Sequence, residues 1–271
     1  MVNGSTPSDA LPIQVADVCF LVSPEKGDSD FWSRVNNATW ESSTYKTLSD
    51  VLTPNSTFVD VGAWIGPITL YAAQLAKATI AIEPDPVAFE ALERNLTSNA
   101  SASWVKEVKL INRALSSTPG NKQLRTDKAF GNSMSSLLEG TTRTSVTVSS
   151  ITMRQVLDFC KTIQVVVKMD IEGGEFDALD ETLHSLAGFE YTLLLSLHPF
   201  LIETSGPKRR GAWRLRRYLV RRRAMFRLLR SLGGHEIQDF GGKKLRTSGI
   251  LLQYVLRMRY PTDLVVQRSS N

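Results

Sequence analysis

The stretch Thr57–Gly66, TFVDVGAWIG, decides the fold, together with Ile80–Pro84, IAIEP, which follows it. A short β-branched run ends in Asp60, turns at Gly62 and resumes as a helix after Gly66; a second apolar run then ends in a carboxylate, Glu83. An open α/β sheet builds a pocket for a nucleoside-containing cofactor from such parts. Glycines let the backbone turn sharply and approach the ligand, and an acidic residue about 20 positions on accepts hydrogen bonds from ribose hydroxyls. Here Gly62 and Glu83 are 21 residues apart.

Glycine spacing separates the two cofactor classes that use this arrangement. A dinucleotide fingerprint needs G-x-G-x-x-G, because its second glycine lets the pyrophosphate lie against the backbone at the helix N-terminus. Trp64 occupies that position, and its indole would stand in the path of a pyrophosphate. S-adenosylmethionine carries no phosphate and needs one close backbone approach. Its methionine ammonium suits a carboxylate at the end of the first strand, Asp60. A methyl donor is therefore favoured over NAD.

With 271 residues, 42% of them hydrophobic, the chain can bury the core of one α/β domain. Residues 1–39 read as an N-terminal extension and 40–271 as the catalytic domain. Cys19 and Cys160 are far apart and in no CxxC spacing, so neither a disulfide framework nor a zinc site is indicated, and a cytoplasmic location is expected. No apolar run approaches the roughly 18 residues of a membrane span; the longest, Tyr191–Ile202, is interrupted by His198 and Pro199. The net charge of +5 is a local matter. Lys208, Arg209, Arg210, Arg214, Arg216, Arg217, Arg221, Arg222, Arg223, Arg227 and Arg230 fall in one stretch without an acid, and the rest of the chain carries a net −6.

Along the chain, Ile13–Val22 reads as a strand or hairpin arm, followed by a Pro-, Gly- and Asp-containing loop and a helix over Trp40–Leu52. Strands are expected at Thr57–Val61, Thr79–Ile82, Val108–Asn112, Gln164–Met169 and Tyr191–Leu197. Helices are expected over Ile65–Lys77, Pro86–Ser98 (Val87, Leu92 and Leu96 towards the sheet) and Glu175–Leu186. Ser116–Gly140, rich in Ser, Gly, Asn and Lys, reads as a long binding loop or lid. Ser145–Val148 is extended, and Thr152 with Gln155 forms a capping box for a helix to Cys160. Glu236–Phe240 and Ile250–Met258 read as closing strands. Strand and helix alternate as in a mostly parallel sheet covered on both faces, where ligands bind beyond the carboxyl ends of the strands. Asp60, Glu83, Asn112, Asp170 and His198 all fall at or just after strand ends.

The segment Lys168–Glu175, KMDIEGGE, places Asp170, Glu172 and Glu175 around two glycines. Carboxylates so close repel one another unless a cation, a ligand ammonium or a proton relieves them. Here the chain resembles the FkbM family of S-adenosylmethionine-dependent methyltransferases. VDVGAWIG (59–66) matches the family's VDVGANIG-like first motif and IEPDP (82–86) its acidic second motif. Lys168, Asp170, Glu172, Gly173 and Glu175 match its K-x-D-x-E-G-x-E signature, and the resemblance covers about Trp40–His198. It implies a class I methyltransferase fold, an α/β sandwich on a seven-stranded, mostly parallel sheet whose last strand is antiparallel, and O-methylation of a sugar or secondary metabolite. Trp64 is a departure, since the family commonly has Asn there.

The expected cofactor set is Asp60, Gly62, Ala63, Trp64, Gly66, Glu83, Pro84, Asn112 and Asp170. Methyl transfer from a sulfonium is an in-line displacement. Alignment is worth roughly 7 to 11 kcal/mol, against about 10² to 10⁴ in rate for a general base. An alcohol nucleophile still needs a proton acceptor, and the candidates are Asp170, Glu172 and His198. The plainer readings are that Asp170 and Glu172 cap the helix at Glu175 and that His198, before Pro199, is a turn residue. No complete metal-ligand set is visible, so no metal is expected. The chain has no NPPY-type sequence, which argues against methylation of a nucleobase amine.

Residues 207–231 read as an amphipathic helix that packs Leu215, Leu219, Phe226 and Leu229 on the sheet and presents arginines elsewhere. Cations without acids suggest an anionic partner: a phosphorylated or nucleotide-linked glycan, RNA, or an acidic membrane surface. Lys208, Arg209 and Arg210 are expected at the lip of the site, holding a substrate phosphate or carboxylate. Two further readings are an RNA methyltransferase anchored by this helix and a non-catalytic binding protein that keeps the fold.

Overall fold

The computed structural model describes residues 10–25, 28–126, 129–131, 136–137, 144–202, 212–256 and 260–268. It begins with an antiparallel hairpin, β1 (Leu11–Val15) and β2 (Val18–Val22), then two helices, α1 (Ser29–Asn36) and α2 (Ser42–Val51). Next come β3 (Ser56–Val61), α3 (Pro67–Ala72), β4 (Ala78–Ile82), α4 (Pro86–Thr97) and β5 (Val108–Ile111). The chain continues through β6 (Ala114–Leu115), β7 (Gly120–Thr126), β8 (Thr144–Ile151), α5 (Met153–Leu157), β9 (Gln164–Met169), α6 (Glu175–Ser185) and β10 (Glu190–Ser196). It closes with α7 (Ala212–Ser231), β11 (His235–Asp239), β12 (Lys244–Leu245), α8 (Thr247–Val255) and β13 (Asp263–Arg268).

The main sheet has the order β12-β11-β13-β10-β9-β3-β4-β5. The run β10-β9-β3-β4-β5 is parallel throughout. The last strand, β13, is antiparallel to both its neighbours, β10 and β11. This is the seven-stranded class I methyltransferase sheet, with the two-residue β12 added at one edge as an eighth. Successive strands run outward from β3 to β5 on one side, and β9 and β10 lie on the other. The order reverses between β3 and β9, and the crevice at such a switch point is where α/β sheets bind ligands.

Side-chain alternation feeds two cores. Val165, Val167 and Met169 of β9 join Val59 and Val61 on the face covered by α5, α6 and α7. Val166 joins Phe58 and Leu194 on the face covered by the hairpin, α1, α2 and α3. The hairpin is stitched to α4 by Asn99, which accepts from Leu21 N and donates to Leu21 O, and by Asn95, which accepts from Ser23 N. Asn95 also donates to Ile65 O, so α4 ties the hairpin to the turn after β3.

Four local expectations are corrected. Phe31, Trp32 and Val35 have helical spacing and are buried, so part of the expected loop before Trp40 is α1. Seven residues of the expected lid are β7, paired along its length with β8; its polar composition disguised it because Leu124 and Thr126 alone are buried. Ile250–Met258 is not a strand. Its apolar run is continuous enough to suit either element, but Ile250 is buried and Leu252 exposed on α8, and β13 closes the sheet instead. On α4 the side buried is Ala88, Leu92 and Asn95, while Val87 is exposed.

Candidate active site

The turn after β3 is shaped by close approach. Gly62 has φ +85, and a Cβ there would lie 2.1 Å from Asp170 O, so only glycine lets the ends of β3 and β9 meet. Asp170 N–H in turn donates to Val61 O, while Gly62 N and Ala63 N both donate to Ile82 O. Gly66 (φ +94) stands against Leu92 Cδ1 and begins α3. Between them Trp64 has φ +51, a left-handed conformation that Asn tolerates far better than an indole-bearing residue. Trp64 is held by its Nε1–H, which donates to Gly131 O at 2.8 Å, and by an edge-on contact with Phe31.

Glu83, at the end of β4, is buried and accepts Trp64 N–H through Oε2 and Asp85 N–H through Oε1, each at 2.8 Å. Burial raises its pKa to about 7 although both donors favour the ionised form. Asn112 donates to Glu83 O and Pro84 O, fastening this turn from behind.

Beside it lies a charged cluster. Lys168, almost wholly buried, donates to Asp170 Oδ2 at 3.1 Å. Burial opposes the Lys168 charge, but Asp170, Asp60 and Glu41 outweigh it and hold the ammonium above the usual lysine range. Asp170 is pulled below the usual carboxylate range, because Lys168 and His198 overcome its own burial. His198 Nδ1 lies 3.0 Å from Glu175 Oε1, and Nε2 lies 3.7 Å from Asp170 Oδ1. Burial would lower its pKa, yet Glu175, Asp170 and Glu172 together raise it to about 9. Glu175 is fully buried; its Oε1 also accepts Ile171 N–H, and its Oε2 has no hydrogen-bond partner among the described residues. Asp60, equally buried, accepts the Thr69 hydroxyl on Oδ2, its Oδ1 has no hydrogen-bond partner among the described residues, and burial raises its pKa. Glu172 has φ +50, and burial carries its pKa to about 7. Both Asp170 and Glu172 precede α6, whose N-cap is Gly174, and Asp170 is engaged by Lys168.

These groups bound two clefts. One is mostly apolar: Ile82, Ala114, Leu115, Leu124, Leu137 and Ile171 line it, with Glu83 and Pro84 at one side. The other is polar: Arg34, Glu41, Asp60, Lys168 and His198 line it, with Phe31, Trp40 and Ala63. Gly62, Trp64, Asp170 and Glu172 belong to both and form the wall between them. Of the sequence-derived set, Gly66 and Asn112 line neither cleft, and Lys208, Arg209 and Arg210 lie outside the described residues.

Sequence reading missed two contributors. The apolar lining from β6 lay just before the supposed lid, in residues given no element, and that from β7 was hidden within the lid. Phe31, Arg34, Trp40 and Glu41 came from a segment read mostly as loop, where the Phe31, Trp32, Val35 spacing was the available signal. Asp170 after β9, Glu175 at the start of α6 and His198 after β10 also bring three metal-capable donor atoms within 4.8 Å of one another, a set the sequence did not show. Lys168 and His198 already supply cations beside these carboxylates.

A parallel sheet with one antiparallel last strand, a glycine turn at its switch point and an acidic residue at the next strand end define a class I methyltransferase. Residues 60–233 match the family described as the methyltransferase FkbM domain, and the chain belongs to that family. Among solved structures, the methyltransferase FkbM from Methylobacillus flagellatus KT is similar with a TM-score of 0.46 and 15% identity, over 90% of this chain and 56% of that one. The present chain thus spans just over half the length of that protein. An rRNA methylase from Streptococcus thermophilus is similar with a TM-score of 0.40 and 11% identity, over 84% of this chain and 95% of that one. A geranyl diphosphate C-methyltransferase from Streptomyces coelicolor A3(2), solved with Mg2+, geranyl diphosphate and S-adenosyl-L-homocysteine, gives 0.42 and 10%, over 91% and 86%. No curated protein matches the sequence.

Proposed function

We propose that this chain binds S-adenosylmethionine across the two clefts and methylates a hydroxyl of a sugar or natural product, with Glu172 as the proton acceptor. The observation that carries the reading is the pairing of an apolar and a polar cleft across a wall whose glycine admits close backbone approach. The residues fit the cofactor. Ile82, Leu115 and Leu124 offer an apolar slot for a purine, and Glu83 stands beside it for ribose hydroxyls. In the polar cleft the unpartnered Asp60 Oδ1 suits an ammonium, and Lys168 suits a carboxylate. When bound, the cofactor supplies an electrophilic methyl on a sulfonium.

The chain's own groups then divide the work. The wall residues fix where the acceptor hydroxyl sits, which is the larger part of the catalysis. A general base works best with a pKa near the operating pH. Glu172, at about 7, meets that condition; Asp170 lies too low, and His198 stays protonated until about 9 and has no free lone pair at neutral pH. His198 and Lys168 act as positioning residues that keep Asp170 ionised. Among the described residues no helix is long and apolar enough to cross a membrane, and Cys19 and Cys160 are unpaired, which supports a cytoplasmic setting.

Calorimetric titration with S-adenosylhomocysteine tests the cofactor assignment. Wild type should release heat, and Glu83→Ala should bind about 10²-fold more weakly, since two ribose hydrogen bonds to a charged acceptor are lost. An equal affinity in Glu83→Ala would sink the assignment. With an acceptor in hand, Glu172→Gln should lower kcat about 10² to 10⁴-fold with KM little changed. It should also abolish the rise in kcat through pH 7.

A further inference from the structure

We infer that α7 and α8 together form a docking surface for an anionic lipid bilayer. The stripe expected to pack on the sheet does so only at Leu229. Met225, Leu228, Leu229 and Leu232 are buried, which turns Leu215, Leu219 and Phe226 towards solvent, 60%, 42% and 53% exposed. With Arg222 these residues follow i, i+4, i+7 and i+11 spacing, so they form one stripe along about 17 Å of helix. Arg216, Arg223, Arg227 and Arg230, at i, i+7, i+11 and i+14, run beside it. On α8, Leu252 and Leu256, at its C-cap, are 58% and 59% exposed. Leu251 and Val255 share a groove with Leu219, Phe226, Arg222, Arg223 and Arg227. Neither helix contains an acidic residue.

Contiguous exposed apolar side chains mark a contact surface, and the arginines around them select the partner. Aliphatic side chains rimmed by arginine match an acyl–headgroup boundary, where leucine and phenylalanine enter the hydrocarbon and arginine meets anionic headgroups. RNA would reward the arginines but gain nothing from exposed Leu215, Leu219, Leu252 and Leu256, because phosphate contacts and base stacking use neither. A second copy on a two-fold axis would bring the same arginines face to face. The cytoplasmic leaflet carries the negative surface potential that this surface calls for.

Sedimentation of the full chain with vesicles tests the inference, using phosphatidylcholine alone and phosphatidylcholine with phosphatidylglycerol. The protein should partition onto the anionic vesicles and leave the neutral ones. Arg223→Gln with Arg227→Gln should lower partition about thirtyfold. Leu219→Ser with Phe226→Ser should lower it about tenfold or more, as should Leu252→Ser with Leu256→Ser on the other helix. All these positions are solvent-facing, so thermal unfolding should be unchanged and loss of binding is not loss of fold. The inference is overturned if wild type ignores anionic vesicles, if it sediments equally with neutral ones, or if both serine pairs bind as well as wild type. It is also overturned if the serine pairs abolish a wild-type dimer seen by light scattering, or if RNA binds wild type and both serine pairs alike while vesicles bind none.

Discussion

Glu83 lines the apolar cleft and Asp170 the wall between the two clefts, each largely withdrawn from water, yet their protons are held in opposite ways. In the apolar cleft Glu83 meets backbone N–H groups but no cation, and burial carries it to about 7. In the polar cleft Asp170 has Lys168 at 3.1 Å and His198 beyond, and it is driven below the usual carboxylate range. The charge beside a buried carboxylate and the depth of its burial together set its protonation. Asp60 marks the boundary: it shares Lys168 with Asp170, but its burial is complete and its pKa rises. One cleft is thus prepared for a neutral, flat ligand group and the other for charged ends.

The most severe way to break this contrast is to remove the wall. Gly62→Ala would place a Cβ 2.1 Å from Asp170 O at φ +85, a clash with backbone that no side-chain rotation relieves. Left-handed strain and overpacking together should destabilise the protein by about 3 kcal/mol. Binding of S-adenosylhomocysteine should fall below detection. Urea titration reads the first effect and calorimetry the second. An unchanged urea midpoint would mean that the ends of β3 and β9 do not need this contact.

Next in size is the response to pH, where the clefts act at different ends of the scale. Glu83 and Glu172 (about 7) and His198 (about 9) all bind their protons more tightly folded than unfolded. A group of that kind contributes stability at low pH and loses it as pH rises through its folded value. Asp170 does the reverse, and its contribution vanishes only below the usual carboxylate range. The ligand-free protein should therefore be most stable near pH 5 and weaken steadily towards pH 9. For Glu83 alone the loss between pH 5 and 7 should be about 2 kcal/mol. Thermal melts at a series of pH values check this, and Glu83→Gln should flatten the slope between 5 and 7 while leaving the His198 portion above 7 intact.

How much of this was legible in the sequence follows from what kind of signal each part carries. The strand ends at Asp60, Glu83 and Asp170 were readable because β3, β4 and β9 are buried on both faces, and a buried parallel strand spells itself as an unbroken apolar run closed by a polar residue. The capping box at Thr152 and Gln155 is purely local and stands as expected. β7 escaped because it lies in a small three-stranded sheet with most of its side chains in solvent. α7 misled for another reason. Its apolar residues occupy two neighbouring stripes, and periodicity alone does not say which one the rest of the fold covers. The pairing of His198 with Asp170 and Glu175 depends on where β10 ends relative to β9, a tertiary fact with no local trace.

The smallest expected effect sharpens the contrast instead of breaking it. Trp64 belongs to both clefts, and its left-handed backbone is a strain that an asparagine at this position would relieve, since Asn adopts φ near +50 with little penalty. Against that relief, Trp64→Asn forfeits the hydrogen bond to Gly131 O, worth about 1 kcal/mol, and the edge contact with Phe31, worth about 0.5 to 1.5 kcal/mol. The Trp64 N–H to Glu83 bond belongs to the backbone and survives, so Glu83 keeps both donors. Net stability should move by no more than about 1 kcal/mol, and affinity for S-adenosylhomocysteine by less than about tenfold. Urea titration and calorimetry on the one variant read both numbers. A loss of affinity well beyond tenfold at unchanged stability would make the indole a direct contact of the cofactor, and the partition between the clefts would then be a binding surface in its own right.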